Sequence, residues 1–220
     1  HFLAKYPPQS LEPGDVLICN DPWMFTGHKF DIVTAMPVFL GERFVGLTGA
    51  VSHATDIGGI RSSGDSEEVF DEGLQIPILK YFRGGKPNPE VHEMIRANVR
   101  MPAMVMGDIM AQVSACEVGA RKLLAFMREY GLDSLDELSQ AITDRTEQAV
   151  KEAIRAMPDG EWSHTVQLDG IDEPLHITAK MSVRGDDMHV DFAGTSPQTR
   201  RGGINGAKNF TDAFVYPPIK

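Results

Sequence analysis

Cysteine is scarce in this chain, with 2 in 220 residues, Cys19 and Cys116, and no C-x-x-C pair. That excludes a disulfide framework and reads as two reduced core thiols of a cytoplasmic protein. No neighbouring residue activates Cys19 as a nucleophile. Basic residues are short as well: 21 Lys and Arg stand against 31 Asp and Glu, a net charge of −10. A phosphate-binding face, and with it nucleic acid as a partner, is not expected. No apolar run approaches the roughly 18 residues of a membrane span, and nothing at the start resembles a secretory signal. Neither Gly58-Gly59 nor Gly202-Gly203-Ile204-Asn205-Gly206 is followed by the Lys-Ser/Thr of a P-loop, so ATP is not expected on this chain. Internal repeats and strong linkers are missing too, while 42% hydrophobic residues at this length suffice for a real core.

What the sequence does have is concentrated between Asn20 and Gly59. His28, Asp31 and His53 stand there, the first two three residues apart and the third one hairpin away. Two neutral imidazoles and one carboxylate that leave coordination positions open are a set used for catalytic Fe, Mn or Zn. On a flat strand positions 28 and 31 face opposite sides, so both reach one ion only if the chain bends between them. Thr26-Gly27, after Asp21-Pro22, provides that bend. Ile32 to Leu40 and Phe44 to Ser52 read as two strands joined at Gly41-Glu42. A hairpin of that length returns His53 to the side of His28 and Asp31. The plainer alternative is a structural role, since 7 His and 31 acidic residues make such a pair common by chance.

The flanking residues favour the metal reading. Gly14-Asp15-Val16, Asn20-Asp21-Pro22, Gly27-His28-x-x-Asp31 and His53-x-x-Asp56-Ile57-Gly58-Gly59 occur in that order, followed by Asp71-Glu72-Gly73-Leu74-x-Ile76-Pro77, Asn98-Val99-Arg100-x-Pro102, Gly107-Asp108 and Asp191-Phe192-x-Gly194-Thr195-Ser196. Together they resemble the hydantoinase B/oxoprolinase family, the metal-carrying subunits of ATP-dependent cyclic-amide hydrolases and of acetone and acetophenone carboxylases. The resemblance implies metal ligands at His28, Asp31 and His53, and puts the run that holds Asp191 close to the working site. Many relatives have a second His after the position of His53, where this chain has Ala54. The resemblance begins a little inside the usual family start and breaks off after Tyr216-Pro217-Pro218, which implies a fragment or a short member.

The remaining chain is scaffold. Residues 56–90 read mostly as loop around a short apolar piece, Leu74 to Phe82, and the loop after His53 is expected either to cover the metal as a lid or to be a solvated connection. From Glu90 to Met157 the pattern is helical. Ile109, Val113, Cys116, Ala120, Leu123, Met127 and Tyr130 recur on one face, with Asp108 as the cap at the start, Gly131 at the end and Gln112 on the surface. Ser134 and Glu137 form a capping box ahead of a second helix, which Pro158-Asp159-Gly160 stops. The two helices are expected to pack as an antiparallel hairpin, with Met94, Met101, Met104, Met106 and Met110 in the core. Trp162 to Leu168, Leu175 to Val183 and Met188 to Phe192 read as a meander, with His164, His176 and His189 on a half-exposed face rather than in a second metal site. The fold class is mixed α+β: a β-rich metal-bearing N-terminal portion (1–89), a central helical hairpin (90–157) and a C-terminal antiparallel β-meander with a Gly-rich tail (158–220), as a single domain or a fragment of a larger subunit. Strands that come in hairpins argue against a doubly wound parallel sheet.

For function, an ion on His28, Asp31 and His53 keeps positions free for water and a substrate oxygen, and Asp56 or Asp191 orients a ligand or moves a proton. The resemblance implies a partner subunit of the hydantoinase A type that uses ATP to activate a cyclic amide, with ring opening at the metal, in a hetero-oligomer. A ketone carboxylase subunit is the alternative, and a metal-stabilised assembly subunit without catalysis is the second.

Overall fold

In chain order, helix α1 (Phe2–Lys5) precedes strands β1 (Val16–Cys19), β2 (Asp31–Leu40) and β3 (Arg43–His53). Strands β4 (Leu79–Arg83) and β5 (Lys86–Pro87) then lead into helices α2 (Pro89–Asn98), α3 (Pro102–Glu129) and α4 (Asp136–Arg155). Strands β6 (Gly160–Leu168), β7 (Leu175–Arg184) and β8 (Asp187–Asp191) come before a last helix, α5 (Lys208–Val215). This computed structural model describes residues 1–60 and 66–216. Arg61 to Asp65, part of the Gly- and Ser-dense loop, and the Pro217-Pro218 pair lie outside the described residues.

Among the described residues all strand pairing is antiparallel, in a five-stranded sheet of order β3-β2-β1-β4-β5 and a three-stranded sheet of order β6-β7-β8. The mixed α+β class is therefore as the sequence indicates. Strand β1, Val-Leu-Ile-Cys, is buried along its whole length. Its alternate residues feed two cores: Val16 and Ile18 join Ile32, Tyr81, Ile95, Ile109 and Val113, while Leu17 and Cys19 join Phe2, Leu11, Ala35 and Ile78. A strand covered on both faces loses the in-out alternation and reads as a continuous apolar run.

The Gly14-Asp15 motif explains how β1 enters. Gly14 has φ +88, and a Cβ there would stand 2.5 Å from the Gly85 nitrogen, so only glycine allows the approach to the β4–β5 turn. The buried Asp15 then accepts the Gly84 N–H at 3.0 Å and pairs with Lys80 Nζ at 2.6 Å. The β2–β3 hairpin turns at Gly41-Glu42, as expected, with φ +63 at Gly41. A type II′ turn needs glycine at that first central position.

The helical region departs from expectation in detail. Helix α3 begins at Pro102, a favoured first-turn residue, six positions before Asp108. Asp108 is therefore no cap; its Oδ2 accepts the Thr55 hydroxyl at 3.1 Å, just past β3. Gln112 is not on the surface but buried, with Oε1 accepting from Thr34 Oγ1 at 3.2 Å and Nε2 donating to Ser52 Oγ. The seam continues one turn on, where Thr48 Oγ1 donates to the Cys116 carbonyl at 3.0 Å. Helix α3 thus packs on the β2–β3 hairpin. Helix α4 does not lie along α3; it reaches β8 and buries a single residue, Ile154. No capping box forms at its start, because Ser134 Oγ accepts from the Asp136 N–H instead and Leu135 occupies the cap position. Of the methionines expected in the core, Met106 is buried and Met94 packs against it, whereas Met101, Met104 and Met110 are exposed.

The meander forms as expected, with one apolar face. Trp162, Val166, Leu168 and Ile177 share it by register and remain 42–47% exposed, while Val183, at the end near α4, is fully buried. Thr195 and Ser196 extend the free end of β7: the Thr178 N–H donates to Thr195 Oγ1 and the His176 N–H to Ser196 Oγ.

Candidate metal centre

The 20–31 segment is a chain of turns, which is what its Asp, Pro and Gly dictate. Asp21 Oδ1 accepts the Trp23 N–H at 2.9 Å, and the Gly27 N–H donates to the Pro22 carbonyl at 3.1 Å. His28 lies in the turn and Asp31 is the first residue of β2, which resolves the two-sidedness that a flat strand would impose. Across the hairpin Asp31 is the register partner of His53, the last residue of β3.

The three side chains meet. His28 Nε2 lies 3.4 Å from Asp31 Oδ2, the two imidazole centroids are 5.5 Å apart, and one ligand atom from each of His28, Asp31 and His53 falls within 4.8 Å of the others. Zn–N and Zn–O bonds of about 2.0–2.2 Å set neighbouring ligand atoms roughly 3–3.5 Å apart, so the His28–Asp31 pair is already spaced for one ion. His28 and Asp31 are half-buried and His53 is exposed. The Phe30 ring stacks on His53 at 5.1 Å and 6°, fixing the plane of that imidazole. His28 Nδ1 is buried and makes no hydrogen bond among the described residues, leaving Nε2 as the nitrogen that faces the carboxylate. Among the described residues no fourth His, Cys, Asp or Glu joins the group. Cys19 belongs to the opposite core, where burial pushes its thiol pKa up. Two imidazoles and one carboxylate are a donor set of the kind that binds Zn, Mn or Fe.

The other residues singled out in the sequence lie elsewhere. Asp56 is buried, with Oδ1 accepting from the Gly58 N–H at 3.1 Å and from Arg100 Nη1 at 2.8 Å, and Oδ2 accepting from the Arg100 N–H. Burial pushes its pKa up, but those N–H groups and the guanidinium outweigh it and hold the carboxyl below its ordinary value. Both oxygens are committed to holding the loop. Asp191 sits at the end of β8 opposite Lys180, and its Oδ1 accepts the Ala193 N–H at 2.8 Å. His176 and His189 do not pair: His176 bonds Ser196 Oγ at 3.0 Å and the Gly194 carbonyl at 2.9 Å, while His189 stands opposite Ser182.

Two contributors escaped the sequence reading. Arg100 Nη2 donates to the carbonyls of Gly58 and Gly59 at 2.8 and 2.7 Å, clipping the loop after His53 to the α2–α3 junction. Asn209, on α5, donates from Nδ2 to the carbonyls of Pro22 and Phe25, and Phe210 packs so closely on Gly27 that a Cβ there would meet it at 2.8 Å. The Asn98-x-Arg100-x-Pro102 run carried a signal for Arg100. Nothing local signals Asn209.

Comparison with known proteins identifies the family and the fold. The chain is 32% identical over 207 residues to the B subunit of a putative D-/L-hydantoinase of Pseudomonas sp. (strain NS671), covering 89% of this chain and 35% of that protein. It is 35% identical over 195 residues to the beta subunit of the caprolactamase of Pseudomonas jessenii, covering 86% of this chain and 33% of the other. The crystal structure of the ATP-dependent caprolactamase from that organism superposes with a TM-score of 0.86, over 97% of this chain and 38% of the matched one, at 32% identity. A third relative, the delta subunit of the acetophenone carboxylase of Aromatoleum aromaticum, is 26% identical over 207 residues, 90% of this chain and 30% of that protein. The chain thus spans about a third of the length of these relatives. With the family profile described as hydantoinase B/oxoprolinase matching residues 1–220, the chain belongs to the hydantoinase B/oxoprolinase family.

Proposed function

We propose that the chain is the metal-bearing part of a subunit that opens a cyclic amide, of the hydantoin, oxoproline or lactam type, in a cytoplasmic hetero-oligomer whose hydantoinase A-type partner uses ATP to activate the substrate. The observation that carries this reading is the convergence of His28, Asp31 and His53 at the base of one hairpin. A divalent Zn, Mn or Fe ion held there would act as a Lewis acid and lower the pKa of a water. The chain's own residues do the rest. His28, Asp31 and His53 bind through ring nitrogens and a carboxylate oxygen, Phe30 orients the His53 ring, and the half-exposed rim admits a substrate oxygen. Asp56 works through Arg100 by fixing the loop that follows His53. Asp191, at the end of β8, lies apart from these three residues and takes no step in this reading.

Support for hydrolysis comes from the hydantoinase and caprolactamase names of two relatives above 30% identity. The acetophenone carboxylase relative supports a second reading, a subunit of a ketone carboxylase that uses the same three ligands. Elemental analysis of the purified chain and of His28→Ala and Asp31→Ala variants tests the common core of both. About one transition metal per chain, lost in both variants, is expected. A folded chain that stays metal-free after reconstitution with Zn, Mn and Fe leaves an assembly role as the better reading.

A further inference from the structure

Of the two residues between His28 and Asp31, Lys29 is held at every polar group. Lys29 is fully buried, and each of its polar groups has a partner. Its N–H donates to Glu72 Oε2 at 2.7 Å, its carbonyl accepts from Asn20 Nδ2 at 2.8 Å, and its Nζ donates to the Gly73 carbonyl at 3.1 Å while lying 5.3 Å from the centre of the Phe70 ring. The first two contacts have a geometric meaning. The N–H of residue 29 belongs to the peptide plane shared with His28, and its carbonyl to the plane that follows, toward Phe30 and Asp31. Because a peptide group is rigid, a hydrogen bond to one of its atoms restrains the whole plane, and with it the backbone from which the flanking side chains leave. Glu72 therefore restrains the plane next to His28, and Asn20 restrains the next.

Glu72 is itself held. Its segment is laced to the loop after His53: the Leu74 N–H donates to the Ile57 carbonyl and the Ile60 N–H to the Asp71 carbonyl, both at 2.7 Å. The approach is so close that a Cβ on Gly73 would stand 2.2 Å from the Ile57 oxygen. That loop is in turn fixed by Arg100 and Asp56. A continuous set of contacts thus runs from the α2–α3 junction to the peptide between the two ligands.

We propose that Glu72 is a positioning residue for the His28–Asp31 pair, acting through the Lys29 N–H rather than by touching the ion. The inference rests on the reading of the three residues as a metal site. It requires an acceptor at the reach of a glutamyl side chain, and it does not require the negative charge. Zn²⁺ affinity, measured by competition with a chromophoric chelator on the full chain, together with the melting temperature of the metal-free form, tests it. Glu72→Ala is expected to bind about 10- to 100-fold more weakly, the usual effect of removing an outer-shell partner, with the metal-free melting temperature lowered by several degrees because the Lys29 N–H loses its acceptor. Glu72→Gln keeps an acceptor at the same reach and is expected to bind within a few-fold of the parent. Glu72→Asp keeps the charge, shortens the reach by one methylene and is expected to lose affinity as Glu72→Ala does; it carries the test if Glu72→Ala fails to fold. Parent-like affinity in Glu72→Asp or Glu72→Ala, or a loss in Glu72→Gln as large as that in Glu72→Ala, overturns the proposal while leaving the metal site standing. Absence of Zn²⁺ binding by the parent chain overturns both.

Discussion

The ion pair of Asp56 and Arg100 holds the loop after His53, and its two members are unequal: the carboxylate is 2% exposed and the guanidinium 56%. The carboxyl pKa is held below its ordinary value, so the stabilisation is fully present above the unfolded pKa of about 3.9 and is lost as pH falls through the depressed folded value. Replacing Asp56 with Asn is expected to cost about 2 kcal/mol at pH 7, the scale of a charge-assisted hydrogen bond. Urea unfolding of both forms at pH 7, 5 and 3 checks this: the gap should hold to pH 5 and shrink toward pH 3. At this scale the sequence was informative where residues are local. His28 lies in the turn that leads into β2, Asp31 is the first residue of that strand, and His53 follows from hairpin register, so the bend and the hairpin together bring the three close. Arg100, Glu72 and Asn209 reach the same region from 44, 43 and 187 residues away, through partners that no periodicity marks.

Helix α3 owes its position to a stripe of polar contacts inside an apolar face. Positions 108, 112 and 116 fall four apart, on one side of the helix, and each bonds a residue on or just past the β2–β3 hairpin. Gln112→Leu separates the surface reading from the buried one. It is expected to destabilise the chain by about 1–3 kcal/mol in denaturant unfolding, because the hydroxyls of Thr34 and Ser52 lose their partner; a neutral result would place Gln112 at the surface. A buried glutamine looks identical to an exposed one in sequence, since only the facing strands decide which it is. Helix starts were misread for a related reason. Pro102 is followed by apolar residues that fit the same face as Ile109, yet Asp108 offered the more familiar cap. Strand ends in the meander and the hairpin came within a residue or two because Gly-containing turns punctuate them.

Across the whole molecule, burial is uneven. The five-stranded sheet has a core on each face, whereas the three-stranded sheet keeps Trp162, Val166, Leu168 and Ile177 exposed and seals only its Val183 end. Hydrogen exchange followed by mass spectrometry is expected to show β1 and β2 peptides protected at least about tenfold longer than β6 peptides, since protection follows local packing; equal protection would contradict this account. The fold class was legible because strand pairs and helices each carry their own period, but the partner chosen by each apolar face was not, and α4 illustrates it. One further feature joins distant parts of the chain: Asn209 closes over the Pro22–Phe25 turn across 187 positions. On a ribosome adding about 5–20 residues per second, that separation is about 10–40 s. A nascent chain therefore presents the Pro22–Phe25 turn well before the residue that bonds its carbonyls has been synthesised, and the order of synthesis sets a window in which that turn is held by local contacts alone.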